Sequence, residues 1–172
     1  MISREEVLHV VREAGCLDDV IQHILAVERV ALSIAEIVKA NGYEIDIGLV
    51  SLGSLVHDIG RTVTHAVNHG VEGAKILRRM GLGDLAHFAE RHVGSGIPAS
   101  EAKELGMPEK DLVPVTLEEK VVTYADKLTN GCRKDTYERA LQCFKSKLGL
   151  QHPAVDRFRR LHEEIHNMIG NK

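Results

Sequence analysis

The sequence predicts an all-α protein, a compact single domain of about six to eight helices with no sheet. Apolar residues recur at spacings of three and four along most of the chain, which is the period of an amphipathic helix. No segment of four to eight residues alternates apolar and polar residues between turns, as a half-buried strand would. A chain of 172 residues also leaves room for one domain and little else.

Capping residues and glycine stops delimit the predicted helices. Ser, Thr, Asp and Asn accept hydrogen bonds from the first backbone N–H groups of a helix, and Gly readily adopts the left-handed conformation that ends one. The second helix is the best defined, because its apolar residues repeat at helical spacing from Val20 to Val38. The predicted spans are 3–14, 20–42, 46–56, 68–80, 84–93, 116–129, 135–149 and 153–169, with a short helix at about 99–105 inside the irregular stretch 94–114.

Composition and charge exclude several classes of protein. An apolar fraction of 44% and a charged fraction of 27% are ordinary for a folded domain, so disorder is disfavoured. The net charge of -3 provides no large positive field, and no polynucleotide partner is expected. Cys16, Cys132 and Cys143 are odd in number and far apart, which indicates reduced thiols. The N-terminus is charged and no apolar run approaches a membrane span, so we expect a cytoplasmic protein.

Ten histidines in a chain without tryptophan are the unusual feature of the composition. Histidine is the commonest metal ligand in proteins and the usual acid or base at neutral pH. His23 follows Val20 by three residues and precedes Val27 by four, which places it on the apolar stripe of the second helix. Taken alone, His23 is better explained as a hydrogen-bonded core residue.

Two aspartates also face the predicted core. The pair His57-Asp58 ends the apolar third helix, and Asp126 follows Val122 by four residues on the helix that begins at Thr116. An ionised carboxylate is costly to bury without a partner, and a divalent cation is one of the few partners that offset this cost.

Buried ion pairs are the alternative for each acid taken alone, with Arg61 or Lys127 as the cation. Four inward-facing His and Asp residues on three helices are more economically explained by a shared metal ion.

Two local motifs surround these residues, LVHDIGR at 55–61 and YADKL at 124–128. With an earlier His on the second helix, they resemble the HD-domain superfamily of metal-dependent phosphohydrolases, and the resemblance runs from about residue 20 to 128. It implies an HD core at about 20–130, with C-terminal helices at about 135–169 packed on it. It also implies one metal ion held by His23, His57, Asp58 and Asp126.

The resemblance extends to a second metal ion. The stretch HGVEGA at 69–74 resembles the segment that supplies a further ligand in dinuclear members, and His92 falls where those members supply another. Asp58 would then bridge two ions, with His69 and His92 on the second. The resemblance implies one or two divalent cations, among Mn, Fe, Mg, Co, Ni and Zn, with Mn or Fe favoured for a dinuclear centre.

The stretch RHVGSGIP at 91–98 departs from the cyclic-dinucleotide branch of the superfamily. That branch has paired His, a Glu and a later Gly-Tyr-Pro, of which one His, the Glu and the Tyr are missing here. Specificity for cyclic di-GMP is therefore not implied. The residues of this stretch more closely resemble those of small stand-alone archaeal and bacterial HD proteins.

The function implied by the resemblance is hydrolysis of a phosphate ester by metal-activated water. A site of His and carboxylate ligands suits an oxygen-rich substrate, because the metal polarises a phosphoryl oxygen and lowers the pKa of bound water. Asp58 would hold the metal, and His65 is a candidate for moving the proton. Candidate contacts to the substrate phosphate are Arg61, Lys127, Arg91 and Arg133.

Two other functions stay open. A few members of the superfamily use a His and Asp di-iron site to activate oxygen, and a non-catalytic module could sense a metal ion or a nucleotide. The expected substrate is small and phosphorylated, most simply a nucleotide; no membrane partner is expected, and oligomerisation is left open. Tyr124, next to the aspartate motif, is the candidate for stacking on a base, with core packing as the alternative.

A last motif, HEEIH at 162–166, matches the zinc-protease pattern of two His one helical turn apart. That pattern needs a third ligand well downstream, and too few residues follow. We interpret it as the solvated face of a charged helix.

Overall fold

Helices follow one another along almost the whole chain in a computed structural model that describes residues 2–170. Three short 3-10 turns connect some of them, at Ile59–Thr62, Gly83–Leu85 and Val93–Ser95. The α-helices of this part of the chain are α1 (Arg4–Glu13), α2 (Asp18–Ala40), α3 (Ile47–Val56), α4 (His69–Arg79), α5 (Ala86–Arg91), α6 (Ala99–Glu104), α7 (Leu117–Lys127), α8 (Tyr137–Leu148) and α9 (Pro153–Ile169). The predicted all-α class is confirmed.

Side-chain caps begin several helices where the sequence predicts them. Ser3 and Glu6 form a complete capping box on α1, and Asp46 accepts from the third residue of α3. Thr116 caps α7, but Glu119 does not complete a capping box with it, because the Glu119 carboxylate accepts from other donors instead of the Thr116 backbone. The caps therefore set the helix starts to within about two residues of the predicted spans.

The predicted fifth helix, 84–93, differs most from the structure. It is split into a 3-10 turn, the short α5 and a second 3-10 turn. Gly94 at φ 60 and Gly96 at φ 97 adopt left-handed conformations that end this segment and reverse the chain. The break leaves His92 at the end of a helix instead of inside one.

One small element was absent from the predicted fold. Strands β1 (Thr129–Asn130) and β2 (Arg133–Lys134) pair antiparallel around Gly131. Strands of two residues are too short to show an alternating pattern, so no sequence signal marks them.

The core is organised around α2, which packs against α3 and α7. Its buried apolar residues recur at helical spacing, and Ile24, Val27 and Ala31 are fully buried. The helices α8 and α9 pack on each other, and α9 also packs on α7. No helix of residues 2–170 combines the length and the apolar character needed to cross a membrane. The arrangement leaves the ends of α3, α5 and α7 close to one another beside α2.

Candidate metal centre

Four side chains from α2, α3 and α7 converge at the end of α3. The Nε2 atom of His23 lies 3.1 Å from Asp126 Oδ1 and 3.7 Å from Asp58 Oδ2. The Nε2 atom of His57 lies 3.6 Å from Asp126 Oδ1 and 3.8 Å from Asp58 Oδ2. The two histidine nitrogens and the two carboxylate oxygens therefore face one common point.

A second group forms on the other oxygen of the same aspartate. Asp58 Oδ1 lies 3.2 Å from Nε2 of His69, the first residue of α4, and 3.4 Å from Nε2 of His92. The two histidine nitrogens are 3.1 Å apart. Asp58 is 1% exposed, so it presents one oxygen to each group from a buried position.

All four histidines have the same orienting hydrogen bond. The Nδ1 atom of each lies within hydrogen-bond distance of a backbone carbonyl oxygen, and a carbonyl can only accept, so Nδ1 carries the proton. Nε2 is then the free lone pair, and in each residue it points into the site. The carbonyls belong to Gly131 for His23, Ser54 for His57, Ala66 for His69 and Ala89 for His92.

This arrangement has polar atoms without partners that a cation would satisfy. His57 Nε2 and Asp58 Oδ1 are buried and make no hydrogen bond within residues 2–170. The lone pairs of His69 and His92 face each other at 3.1 Å, which is a repulsive contact unless a positive charge lies between them. Nitrogen and carboxylate oxygen ligands with oriented second nitrogens fit divalent transition metals.

Three glycines allow this site to assemble. A Cβ atom at Gly60 would overlap the carbonyl oxygen of His69, and one at Gly70 would lie 2.5 Å from the carbonyl oxygen of Ala89. A Cβ atom at Gly73 would lie 3.0 Å from the backbone nitrogen of Gly60. The α4 helix can therefore approach both the turn after Asp58 and the helix that carries His92 only because these positions lack side chains.

The two aspartates are held ionised by their neighbours. Burial alone would raise the pKa of Asp58, but the neighbouring imidazoles of His57, His69 and His92 lower it well below its ordinary value. Burial would likewise raise the pKa of Asp126, and Lys127 with the nearby histidines lowers it well below the ordinary range. Both acids are therefore in the form that binds a metal ion.

The histidine pKa values shift in opposite directions. Burial, supported by the charges of His57 and His69, lowers the pKa of His92 to about 4, so its imidazole is neutral at pH 7. Burial would also lower the pKa of His23, but the hydrogen bond and charge of Asp126 outweigh it and raise that pKa. The neutral imidazole of His92 is the form that ligates a metal.

The site opens into a cleft of about 450 Å³. The lining includes His and Asp residues of the site, and α8 contributes Cys143, Phe144 and Lys147 to it. The turn between β1 and β2 lines one side with Asn130 and Gly131. A cavity of this size is within the range of small-molecule sites.

The predicted phosphate contacts fall into two groups. Arg61 and Lys127 line the cleft, where each is paired with a carboxylate of the site, Asp58 at 2.5 Å and Asp126 at 2.5 Å. Arg91 lies outside the lining, because its guanidinium donates to both oxygens of buried Glu119 at 3.0 Å.

Arg133 is exposed on β2 and also lies outside the lining. His65 is exposed at the cleft, in the loop before α4. Of the four predicted phosphate contacts, only Arg61 and Lys127 are therefore close to the metal centre.

Tyr124 and the terminal histidines belong to a separate aromatic cluster. The Tyr124 hydroxyl lies 2.6 Å from Nδ1 of His162, and burial raises the pKa of Tyr124 to about 12. His162 stacks on Tyr137 with ring centroids 3.4 Å apart. Tyr124 packs inside the fold and does not line the cleft. The interpretation of the HEEIH stretch as a solvated face is wrong for His162, which packs against Tyr137, and fits the exposed Glu163 and His166.

The wall formed by α8 was missed by sequence reasoning. Ala140, Phe144 and Lys147 recur at helical spacing, which marks one face of a helix but not what that face meets. The role of the Gly131 carbonyl in orienting His23 was also missed, because 108 positions separate the two residues in the chain.

Comparison with known proteins places this chain in a family. The family model described as HD domain matches residues 20–131, which include His23, both motif aspartates and the β1 strand. An uncharacterized protein of Methanocaldococcus jannaschii is 46% identical over 155 residues, covering 90% of this chain and 92% of its own length.

Two further relatives are longer proteins. Both are named tRNA (cytidine(56)-2'-O)-methyltransferase. The one from Picrophilus torridus is 35% identical over 98% of this chain and 48% of its own length. The one from Thermoplasma volcanium is 39% identical over 91% of this chain and 44% of its own length. The chain thus spans about half the length of these two relatives. No solved structure matches the chain.

Proposed function

Because the chain belongs to the HD-domain family, we propose that it is a metal-dependent phosphohydrolase. It hydrolyses a phosphate ester of a nucleotide or of another small phosphorylated metabolite. Water adds to phosphorus, the ester oxygen leaves with a proton, and the products are an alcohol and a phosphate.

One observation carries the proposal: the buried Asp58 presents one oxygen to each of two groups of histidine nitrogens. Such an aspartate suits a bridge between two cations, with His23, His57 and Asp126 on one side and His69 and His92 on the other. A purely structural aspartate would be expected to have its charge balanced by arginine or lysine and its oxygens satisfied by hydrogen-bond donors.

Divalent ions bound there would supply Lewis acidity toward a phosphoryl oxygen and a water of lowered pKa. The protein's own groups do the positioning. Arg61 donates its Nε to Asp58, and its two Nη groups make no hydrogen bond within residues 2–170, so they are available to a phosphate in the cleft. Lys127 adds a second positive charge at the same wall. His65, an exposed residue of the cleft lining, is our candidate for carrying the proton to the leaving oxygen.

The test measures bound metal and phosphate release together. Wild type, Asp58→Ala and the control Asp84→Ala, an exposed aspartate outside the cleft, are purified without chelator and analysed by metal mass spectrometry. The same samples are screened against mono-, di- and cyclic nucleotides and other phosphate esters, with oxygen excluded. We expect about two ions per chain and metal-dependent phosphate release in wild type and control, and loss of both in Asp58→Ala.

Other results would contradict the proposal in distinct ways. Bound iron with oxygen consumption and no anaerobic phosphate release would favour a di-iron oxygenase. Metal or nucleotide binding that raises the melting temperature without turnover would favour a sensor module. Folded protein that stays metal-free after addition of divalent ions would reject the metal centre.

A second candidate is that the substrate phosphate belongs to RNA. The observation that favours it is the naming of two relatives as tRNA methyltransferases, in which the part similar to this chain makes up about half of the protein. Including short RNA oligonucleotides with 5'- or 3'-phosphates in the same screen tests this candidate. Turnover of these and not of free nucleotides would favour it.

A further inference from the structure

Charge is distributed unevenly along the chain despite the small net charge. Residues 127–160 contain nine Lys and Arg against three Asp and Glu, a net of +6. Residues 1–126 contain twelve Lys and Arg against twenty Asp and Glu, a net of -8. The whole-chain value of -3 therefore hides a basic segment, which comprises the β1–β2 ribbon, α8 and the start of α9.

Five cations of this segment are exposed and have no ion-pair partner within residues 2–170. One of them, Arg160, lies on α9. The other four lie on the ribbon and α8, and we call them the basic rim: Arg133, Lys134, Arg139 and Lys147. Within residues 2–170, none of the four has a carboxylate within ion-pair distance. Several basic residues elsewhere are neutralised instead; Arg157, for example, donates to both oxygens of Glu101. The basic rim is thus free to attract an external anion.

The basic rim lies beside the mouth of the cleft. On α8, Arg139, Cys143 and Lys147 follow one another at spacings of four and share one stripe of the helix. Cys143 and Lys147 line the cleft, so this stripe runs along its edge for about 12 Å. On the ribbon, Arg133 and Lys134 belong to the strand that pairs with Asn130, another lining residue.

We propose that the basic rim binds the phosphate backbone of an RNA strand and directs its terminal phosphate to the metal centre. A single small phosphate would be held by Arg61 and Lys127 inside the cleft and would not require four further cations outside it. A row of unpaired cations leading to the cleft fits a chain of phosphates. This inference rests on the proposed function, since it concerns the substrate of the same site.

The cleft lining favours RNA over DNA. Asp19, Asn130 and Asp135 line the same cleft as the metal centre. Carboxylates and amide oxygens accept hydrogen bonds from ribose hydroxyls, and a 2'-hydroxyl distinguishes RNA from DNA at a given site. Phe144 in the same lining offers part of its ring to a base.

The experiment measures fluorescence anisotropy of a labelled single-stranded RNA that carries a terminal phosphate, with the full chain as purified and without turnover conditions. If the rim makes four phosphate contacts, raising salt from about 50 to 200 mM weakens binding about 50-fold. In the triple variant Arg133→Ala, Lys134→Ala, Arg139→Ala, the same change in salt weakens binding only about threefold, because one contact of the rim remains.

The control is a triple variant of equal charge change elsewhere. Arg29→Ala, Lys39→Ala, Arg79→Ala removes two arginines and one lysine that are exposed and outside the cleft. We expect this control to bind RNA with the salt dependence of the wild type. Bound metal and melting temperature are measured for every variant, so that loss of fold is separated from loss of RNA binding.

Three results would overturn the inference: no RNA binding by the wild type, equal salt dependence in the rim variant and the control, or DNA of the same sequence binding as tightly as RNA. Phosphate release from small esters is measured on the same wild-type sample. If release is metal-dependent while RNA binding fails, the inference falls and the proposed function stands. If release and bound metal are both absent, the proposed function itself fails.

Discussion

Two buried carboxylates, Glu28 and Asp58, have different kinds of partners in this fold. Both are almost inaccessible, at 3% and 1% exposure. Glu28 on α2 accepts from Arg4 at 2.7 and 2.6 Å and from the Ser51 hydroxyl at 2.6 Å. Its charge is balanced by one permanent cation, and both of its oxygens have donors.

Asp58 meets histidines at distances of 3.2 to 3.8 Å instead. Its Oδ1 has no hydrogen-bond donor within residues 2–170, and Arg61 pairs only with Oδ2. The histidines direct their lone pairs to the site because their Nδ1 atoms are already bonded to carbonyls. Burial of an acid therefore does not identify a functional site; the kind of partner does.

Two other buried acids resemble Glu28. Glu119 accepts from Arg91 at 3.0 Å and from the Val115 backbone at 2.8 Å, and Glu90 is paired with Arg78 at 3.0 Å and with Lys110 at 2.9 Å. These acids are structural, and their partners are present in the chain.

The comparison of Glu28 with Asp58 predicts that adding a metal ion causes the largest change in stability. After treatment with a chelator, Mn²⁺ at about 1,000 times its dissociation constant should stabilise the wild type by about 4 kcal/mol, a rise of about 8–16 °C in melting temperature. Asp58→Ala should lose this rise, because both groups of ligands share Asp58. Calorimetry with and without Mn²⁺ measures it, and an unchanged rise in Asp58→Ala would contradict the assignment.

The next largest effect is expected when the ion pair between Arg4 and Glu28 is broken. Arg4→Ala leaves the buried carboxylate of Glu28 without its cation, so we expect a loss of about 3 kcal/mol in the free energy of unfolding, the lower end of the range because Ser51 still donates. Urea denaturation measures the loss. Arg12→Ala, at an exposed position in the last turn of the same helix, is the control. Bound metal should stay at the wild-type value, and a drop would show that the two regions are coupled.

A smaller effect is expected at the glycine that lets α4 approach Asp58. Gly60→Ala should displace α4, lower stability by about 2 kcal/mol and remove the ion held by His69, so that bound metal falls from about two ions to about one. Gly83→Ala, where a Cβ atom would have room, is the control. Metal mass spectrometry and calorimetry measure both effects. Retention of two ions in Gly60→Ala would mean that the close approach does not position His69.

The smallest effect is a pH dependence of stability that comes from Glu90, one of the acids paired with cations. Burial alone would raise the pKa of Glu90, but Lys110 and Arg78 lower it below its ordinary value of 4.5. The folded state then binds protons less readily than the unfolded state, so this contribution is present above about pH 4.5 and is lost as the pH falls through the folded value. Glu90→Gln should therefore lose stability less steeply than wild type below pH 4.5, as measured by urea denaturation at each pH. Identical slopes would show that Glu90 contributes nothing to acid sensitivity.

Much of the fold and of the candidate site could be predicted from the sequence. The caps at Ser3, Asp46 and Thr116 lie where expected, since capping depends on residues within one helical turn. The motif residues His57 and Asp58 fall at the end of α3, where apolar periodicity stops. The six His and Asp residues predicted as ligands form the two adjacent groups around Asp58.

The pairing of cations could not be predicted. Arg91 resembles Arg61 in sequence terms, since each lies within three residues of a candidate ligand, yet Arg91 is held by Glu119, 28 residues away. Which acid pairs with each arginine depends on which helices pack together, and no local sequence pattern predicts that packing.

By itself, the sequence determined the helices, their caps and the set of inward-facing His and Asp residues, because these follow from spacings of three and four and from side chains near in the chain. Only the tertiary structure decided that Asp58 serves both groups, that the Gly131 carbonyl orients His23 and that α8 lines the cleft. Those features join residues far apart in the chain, and their distances are set by the packing of whole helices.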